Sequence, residues 1–240
     1  MKLSVNNFKK IFTSSWIEYF LLLLTFVFLM KLGFWQVHRA QEKISILKQY
    51  EAQKEQPFTE WTPDKNPPNA YQNIKVKGEV LANRFYLDNQ FYQHRLGYHV
   101  IVPVRMQNKI VLLDMGWIPA TPNRRFLPHP HLNEQTYWQG TVYFPSVSKL
   151  NHFQHWIERR EGNHVIIESL EPELIAKELN ASVYPWILRL RADEHSSQWQ
   201  RDWTWINVRP EKHYAYAGQW FLMALIVIII LIWRIVHYEK

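Results

Sequence analysis

Tyr19–Gln36 reads YFLLLLTFVFLMKLGFWQ, 18 residues with one charge, Lys31. Wound as an α-helix it would span roughly 27 Å, close to the thickness of a bilayer's hydrocarbon core. Lys31 lies toward one end, where its stem can carry the ammonium out to the headgroups. A second run, Ala215–Trp233, reads AYAGQWFLMALIVIIILIW, with 19 residues and no charge. Its Val and Ile lower helicity in water, but lipid offers the backbone no competing solvent. Trp16, Tyr19, Trp35, Trp220 and Trp233 fall near the ends of the two runs, as an aromatic belt would. The two stretches predict transmembrane helices at 19–36 and 215–233. A cleaved leader is the bland alternative for the first, but the run is long for an h-region and no small-x-small site follows it.

Basic residues orient the pair. Lys2, Lys9 and Lys10 precede the first acid, Glu18, and Arg234 and Lys240 face one acid, Glu239. The positive-inside rule places tails 1–18 and 234–240 in the cytoplasm and segment 37–214 outside it. Arg39, Lys43 and Lys48 oppose this, but they belong to a connection of about 175 residues, whose charges weigh little. The N-tail has no Arg and no Ser-rich amphipathic stretch, so it does not read as an organelle transit peptide. The expected location is a bacterial inner (plasma) membrane.

The 240 residues carry 28 Lys+Arg against 21 Asp+Glu, and a charge of +7 invites a nucleic-acid partner. Its distribution argues for none. Residues 38–213 hold 22 of the bases and 19 of the acids, so more than half the excess lies in the flanks. No dense basic run is interleaved with aromatics. The absence of cysteine excludes a disulfide framework, a thiolate metal site, an iron–sulfur cluster and a cysteine nucleophile. Metal or haem chemistry must therefore use His, Met, Tyr or carboxylate. GxSxG, HExxH, Walker and GxGxxG motifs are absent, and no carboxylate pair falls into one site, so the chain reads as non-enzymatic.

In the middle, Ala40, Ile44 and Leu47 share a helical face within Arg39–Lys54, which predicts an amphipathic stem continuing the first helix. The Pro-rich stretch 56–70 reads as a loop. Strand signals follow at Ile74, Val76 and Val80, with a break at Gly78, and at Arg84–Leu87, running into a turn at Asp88-Asn89. Tyr98–Met106 and Lys109–Met115 form a hairpin around Gln107-Asn108, closed by Gly116 and Pro119. Thr136–Phe144, Val165–Glu168, Tyr184–Leu190 and Trp203–Val208 are further strand candidates. Leu170–Asn180 is a helix with Pro172 in its first turn. The expected class is a membrane-anchored α+β chain: two transmembrane helices flank a β-rich extracytoplasmic domain. Its sheet has about six or more antiparallel strands, open or closed into a barrel.

His213 stands just before the second apolar run, and on a helix Tyr216, Ala217 and Trp220 share its face. A histidine beside small residues and flat aromatics suits a haem edge or a metal. The commoner reading by residue type is an interfacial His in an aromatic belt. Trp35, Arg39 and Lys43 make an i, i+4, i+8 stripe that suits either carboxylates such as haem propionates or lipid headgroups. His129/His131 and His152/His155, with His164 beyond, are metal-type spacings in loop-like sequence without an assured third ligand.

Seven blocks resemble the surfeit locus protein (Surf/Shy) family, over nearly the whole chain. They are GFWQVHRAQEK at Gly33, LDNQ at Leu87, GYHVIVPV at Gly97, VLLDMGWIP at Val111, WQGTVYFP at Trp138, YPWILRL at Tyr184 and WINVRPEKHYAYAGQWFLMA at Trp205. The last is the most specific. One departure stands out: Met115 occupies the place before Gly116-Trp117 where the family often has Arg, and Arg124 or Arg125 is the nearby substitute. Gly116 and Trp117 themselves read as structural, a turn glycine and a core indole. The resemblance implies a membrane chaperone for cytochrome c oxidase biogenesis that binds haem a and aids its insertion. Its implied partners are the catalytic subunit, the haem a synthesis machinery and the lipid bilayer. It makes His213 the haem-iron ligand, with Trp35, Gln36, Arg39, Tyr216 and Trp220 as further cofactor-binding candidates. The alternative is a scaffold that stabilises an oxidase subunit without haem.

Overall fold

A computed structural model describes residues 5–122, 126–128, 136–145, 157–192 and 198–238. The chain runs α1 (Val5–Lys54), β1 (Thr59–Glu60), β2 (Asn73–Lys77), β3 (Glu79–Val80), β4 (Arg84–Tyr92), β5 (Arg95–Met106), β6 (Lys109–Pro119), β7 (Tyr137–Tyr143), β8 (Ile157–Glu161), β9 (His164–Ile167), α2 (Pro172–Leu179), β10 (Val183–Leu190) and α3 (Pro210–Tyr238). It divides into two compact units, Met1–Lys48 with Trp205–Lys240, and Gln49–Thr204.

Helices α1 and α3 are each long and apolar enough to cross a membrane. The expected stem is helical, because α1 continues unbroken to Lys54. Large apolar side chains such as Phe20, Leu24, Phe28, Leu225 and Ile229 point outward, an arrangement that lipid tolerates and water does not. The helices pair antiparallel. Glu18 meets Arg234 at one end, Gln36 meets His213 at the other, and Phe34 packs edge-on against Phe221 at 5.3 Å between them. Gly33 allows this approach, since a Cβ there would lie 2.3 Å from the Phe221 ring. On α3 the buried Ala217, Ala224 and Leu231 recur every seven residues, the stripe of a helix seam.

In the second unit the strands order as β1-β2-β7-β10-β6-β5-β4-β9-β8, with β3 on β5. The sheet is mixed, which corrects the antiparallel expectation: β1/β2, β6/β10 and β4/β9 are parallel. The cause is the connection to β10. It is long and contains α2, which permits a crossover that brings β10 back beside β6. Side chains alternate between two cores. Val100, Val102, Val111, Leu113 and Leu188 join Ile74, Val76 and Trp138 on one face, while Ile101, Leu112, Ile187 and Val165 meet Ile175 of α2 on the other. The first cluster runs along one face from β2 across to β9. No described pair joins β1 to β8, and a closed barrel is not shown.

Local chemistry explains the remaining differences. The β5–β6 hairpin turns at Gln107 as expected, but β6 runs on through Gly116 to Pro119. The ladder shifts there, from His99 opposite Trp117 to Ile101 opposite Asp114, and Gly116 takes the bulge at φ +117°. The turn expected at Asp88-Asn89 is also a bulge inside β4, with Asn89 at φ 56°. The actual hairpin turn is Gln93-His94, both left-handed, as a two-residue primed turn requires. Trp203–Val208 forms no strand: the Trp203 indole N–H donates to the Leu190 carbonyl at 2.9 Å instead. β1 and β8 carried no strand signal in sequence. Helix α2 matches its signals, with Pro172 first and Asn180 left-handed at its C-cap.

The end of α1 is held by one side chain. The amide nitrogen of Asn73, on β2, donates toward the carbonyls of Gln53, Lys54 and Gln56 at 3.1, 3.1 and 2.9 Å. Its oxygen accepts from the Thr141 hydroxyl on β7 at 2.9 Å. The last carbonyls of a helix have no partner of their own, and Asn73 is buried, so these bonds replace water. Asn73→Ala is expected to lower stability by about 1–3 kcal/mol, and Asn73→Asp by more, because a carboxylate would face three carbonyl oxygens. Denaturant titration of the solubilised chain followed by tryptophan fluorescence reads both.

Burial pushes the Tyr86 hydroxyl up to about 12, and it donates to the Pro128 carbonyl at 3.0 Å. Its folded value lies above the unfolded one of 10.0, so the proton favours the fold. That contribution is complete below the unfolded value and is lost as pH rises toward the folded one. Alkaline titration should show a late phenolate absorbance component that is reduced in Tyr86→Phe, and a stability loss over the same window that Tyr86→Phe reduces.

Candidate functional site

The ring of His213 lies in the first turns of α3, which opens on Pro210. Its Nδ1 lies 2.8 Å from the Oε1 of Gln36, an acceptor that takes a ring N–H. Its Nε2 is buried and has no hydrogen-bond partner among the described residues. A buried polar atom left in this state calls for an explanation, and a ligand is one. Ala217, one turn on, is buried in the seam between the helices. Among the described residues no backbone or side-chain donor competes for Nε2, so the nitrogen fits a single iron-type Lewis acid.

The other candidates surround this pair unevenly. Gln36 and Gly33 lie on the inner face of α1, with Ala40 buried further along it. Trp35 is 53 % exposed and Tyr216 is 51 % exposed, and Trp220 is half-buried. Arg39 is half-exposed and pairs with Glu42 at 2.5 Å on its own helix. The structure therefore brings His213 and Gln36 into contact and leaves Trp35 and Tyr216 as accessible aromatic surfaces. His129, His131, His152, His155, Arg124 and Arg125 lie outside the described residues. Among the described residues no three His, Asp or Glu cluster as a metal site.

A second polar cluster lies in the β-rich unit, among residues that no spacing pattern connects. Asp114 is buried, and both its oxygens lie near His99 Nδ1, at 3.0 and 3.2 Å. The Gly116 N–H donates to Asp114 at 3.2 Å, and the Arg189 guanidinium stands 4.0 Å away. Arg189 stacks on Tyr143 at 3.8 Å, close to Trp203 at 5.3 Å. Burial pushes the Arg189 pKa down, and the Asp114 charge works against that. Nearby, Arg201 donates to the Met115 carbonyl at 2.7 Å, so a cation does reach the place before Gly116-Trp117. The Trp117 ring is buried, as expected, with its N–H on the Gln90 carbonyl at 2.9 Å.

Two helices long and apolar enough to cross a membrane, together with a mixed sheet, define an α+β protein compatible with membrane anchoring. A sequence profile of the SURF1 family matches residues 23–225. The chain belongs to the SURF1 family, which is known for cytochrome oxidase assembly factors. It is similar to the SURF1-like protein of Rickettsia conorii, 25 % identical over 224 residues and 88 % of each chain. The SURF1-like protein of Rickettsia felis is 24 % identical over 223 residues, 87 % of this chain and 92 % of its own. That of Caenorhabditis elegans is 26 % identical over 149 residues, half of this chain and 44 % of its own.

The Asp114 cluster makes a stability prediction. Asp114→Ala would strand Arg189 in a buried position without its counter-charge and is expected to cost about 3 kcal/mol. Asp114→Asn keeps the shape and should cost less. Thermal unfolding of the two variants beside Arg189→Met orders the effects.

Proposed function

We propose that this chain is a membrane chaperone of cytochrome c oxidase biogenesis that holds haem a and hands it to the catalytic subunit. The observation that carries the reading is the His213 ring, anchored at Nδ1 and buried without a partner at Nε2. When bound, haem a supplies an iron that accepts one imidazole nitrogen and two carboxylates that attract cations. His213 Nε2 offers the nitrogen. Trp35, Tyr216 and Trp220 offer flat apolar walls on the same end of the helix pair. Arg39 offers a cation to a propionate in exchange for its surface pairing with Glu42, a bond worth little in that setting. A single His makes a hold that releases readily, as a carrier needs.

In this reading the haem a synthesis machinery delivers and the oxidase subunit receives, in a bacterial plasma membrane with both tails cytoplasmic. The family and the two apolar helices support the membrane and the oxidase.

Co-expression with haem a synthesis enzymes tests the reading. The purified chain should carry a Soret band that His213→Ala weakens or shifts. A colourless wild type that still co-purifies with the catalytic subunit, with His213→Ala retaining that partner, would establish the haem-free scaffold instead.

A further inference from the structure

We infer that Gln36 is a positioning residue that fixes the tautomer of His213 and so presents Nε2 as the ligating atom. The inference rests on the haem reading for its purpose, but its geometry stands alone. The Oε1 of Gln36 has only lone pairs to offer, and at 2.8 Å from Nδ1 it is attractive only toward an N–H. The neutral ring is therefore held with its proton on Nδ1 and its lone pair on Nε2. In water the opposite tautomer of a histidine is preferred, so the bond selects the less common form. Nε2 is buried and takes no proton donor from the described residues, which leaves the lone pair available. This is the arrangement in which an outer partner orients an imidazole and raises its basicity toward a metal.

The kind of partner matters. A carboxylate at position 36 would draw the Nδ1 proton and make the ring a strong donor. The neutral amide of Gln36 orients without that push, so the hold is directional but weak. The bond also depends on the helix pair. Gln36 comes from α1 and His213 from α3, and their separation is set one turn away by Gly33 against Phe221. Gln36 acts through His213 and needs no contact with the porphyrin itself.

The test uses the full chain in detergent or nanodiscs, with histidine labelled by nitrogen-15. In the haem-free protein the His213 signals, identified by their loss in His213→Ala, should show Nδ1 protonated. Gln36→Leu should shift them toward Nε2–H or a mixture. Gln36→Glu, which keeps an acceptor of the same length, should keep Nδ1 protonated. Titration with ferric haem should then give roughly 10–100-fold weaker binding for Gln36→Leu. Gln36→Glu should bind at least as tightly as wild type, with the iron's reduction potential moved negative. An Nε2–H tautomer in the wild type overturns the inference, as does a Gln36→Leu protein unchanged in both tautomer and affinity. A wild type that shows the Nδ1–H tautomer, lost in Gln36→Leu, but binds no haem upholds the positioning role and overturns the carrier reading.

Discussion

Inside lipid a polar side chain must find its partner in the protein, because the solvent offers none. At the ends of the two apolar runs, the same demand favours one register of α1 on α3. Their outward surfaces are apolar along most of their length and could slide past one another at small cost. Glu18 with Arg234 and Gln36 with His213 forbid it, one pair at each end. The Gly33–Phe221 approach between them forbids it sterically. Hydrogen bonds across such pairs contribute only about 1 kcal/mol each. They favour the observed register because a shifted one would leave these four polar groups without these partners.

The same rule shapes the β-rich unit, with different residues. Asn73 satisfies the carbonyls at the end of α1, and Thr141 satisfies Asn73, so the helix end, β2 and β7 share one small network. Asp114 is tolerated in the interior because His99, the Gly116 N–H and Arg189 surround it. The bulge at Gly116 is part of that solution. It turns a backbone N–H toward the carboxylate, at a position where a side chain would strike the Gln200 carbonyl. Gln200 in turn pairs with Trp117, taking the edge of β6 where β10 has ended.

Much of this was legible in sequence, and the pattern of successes is physical. Helices α1 and α3 announced themselves through uninterrupted apolar length, and α2 through Pro172 and its cap. The β5–β6 hairpin showed because both strands are apolar and the turn between them is polar. Asp88-Asn89 misled because a left-handed Asn serves a bulge as well as a turn. Trp203–Val208 misled because aromatics favour strands, while Trp203 is used against Leu190 and Arg189 instead. Parallel pairing has no local signal at all, since it depends on where a long connection returns. The candidate site divides the same way. His213 is singled out in sequence by its place beside an apolar run, and Trp35 and Arg39 by their spacing, and what they bind is the proposal above. The inner face of α1, however, carries Gly33 and Gln36, and only the pairing of the helices shows that Gln36 reaches His213. His99, Asp114 and Arg189 are too far apart in sequence for any spacing argument.

A chaperone that must release its cargo has a requirement opposite to that of an enzyme with a resident cofactor. Permanent haem sites favour two axial ligands or a strongly donating one, and charged partners that tighten the ligand further. Here the partner of the histidine is a neutral amide, the nearest matched cation is already occupied by Glu42, and the flanking aromatics lie open to the surroundings. If the pair holds haem as proposed, each of these features lowers affinity while leaving the orientation of the ring intact, which is what transfer rather than storage demands.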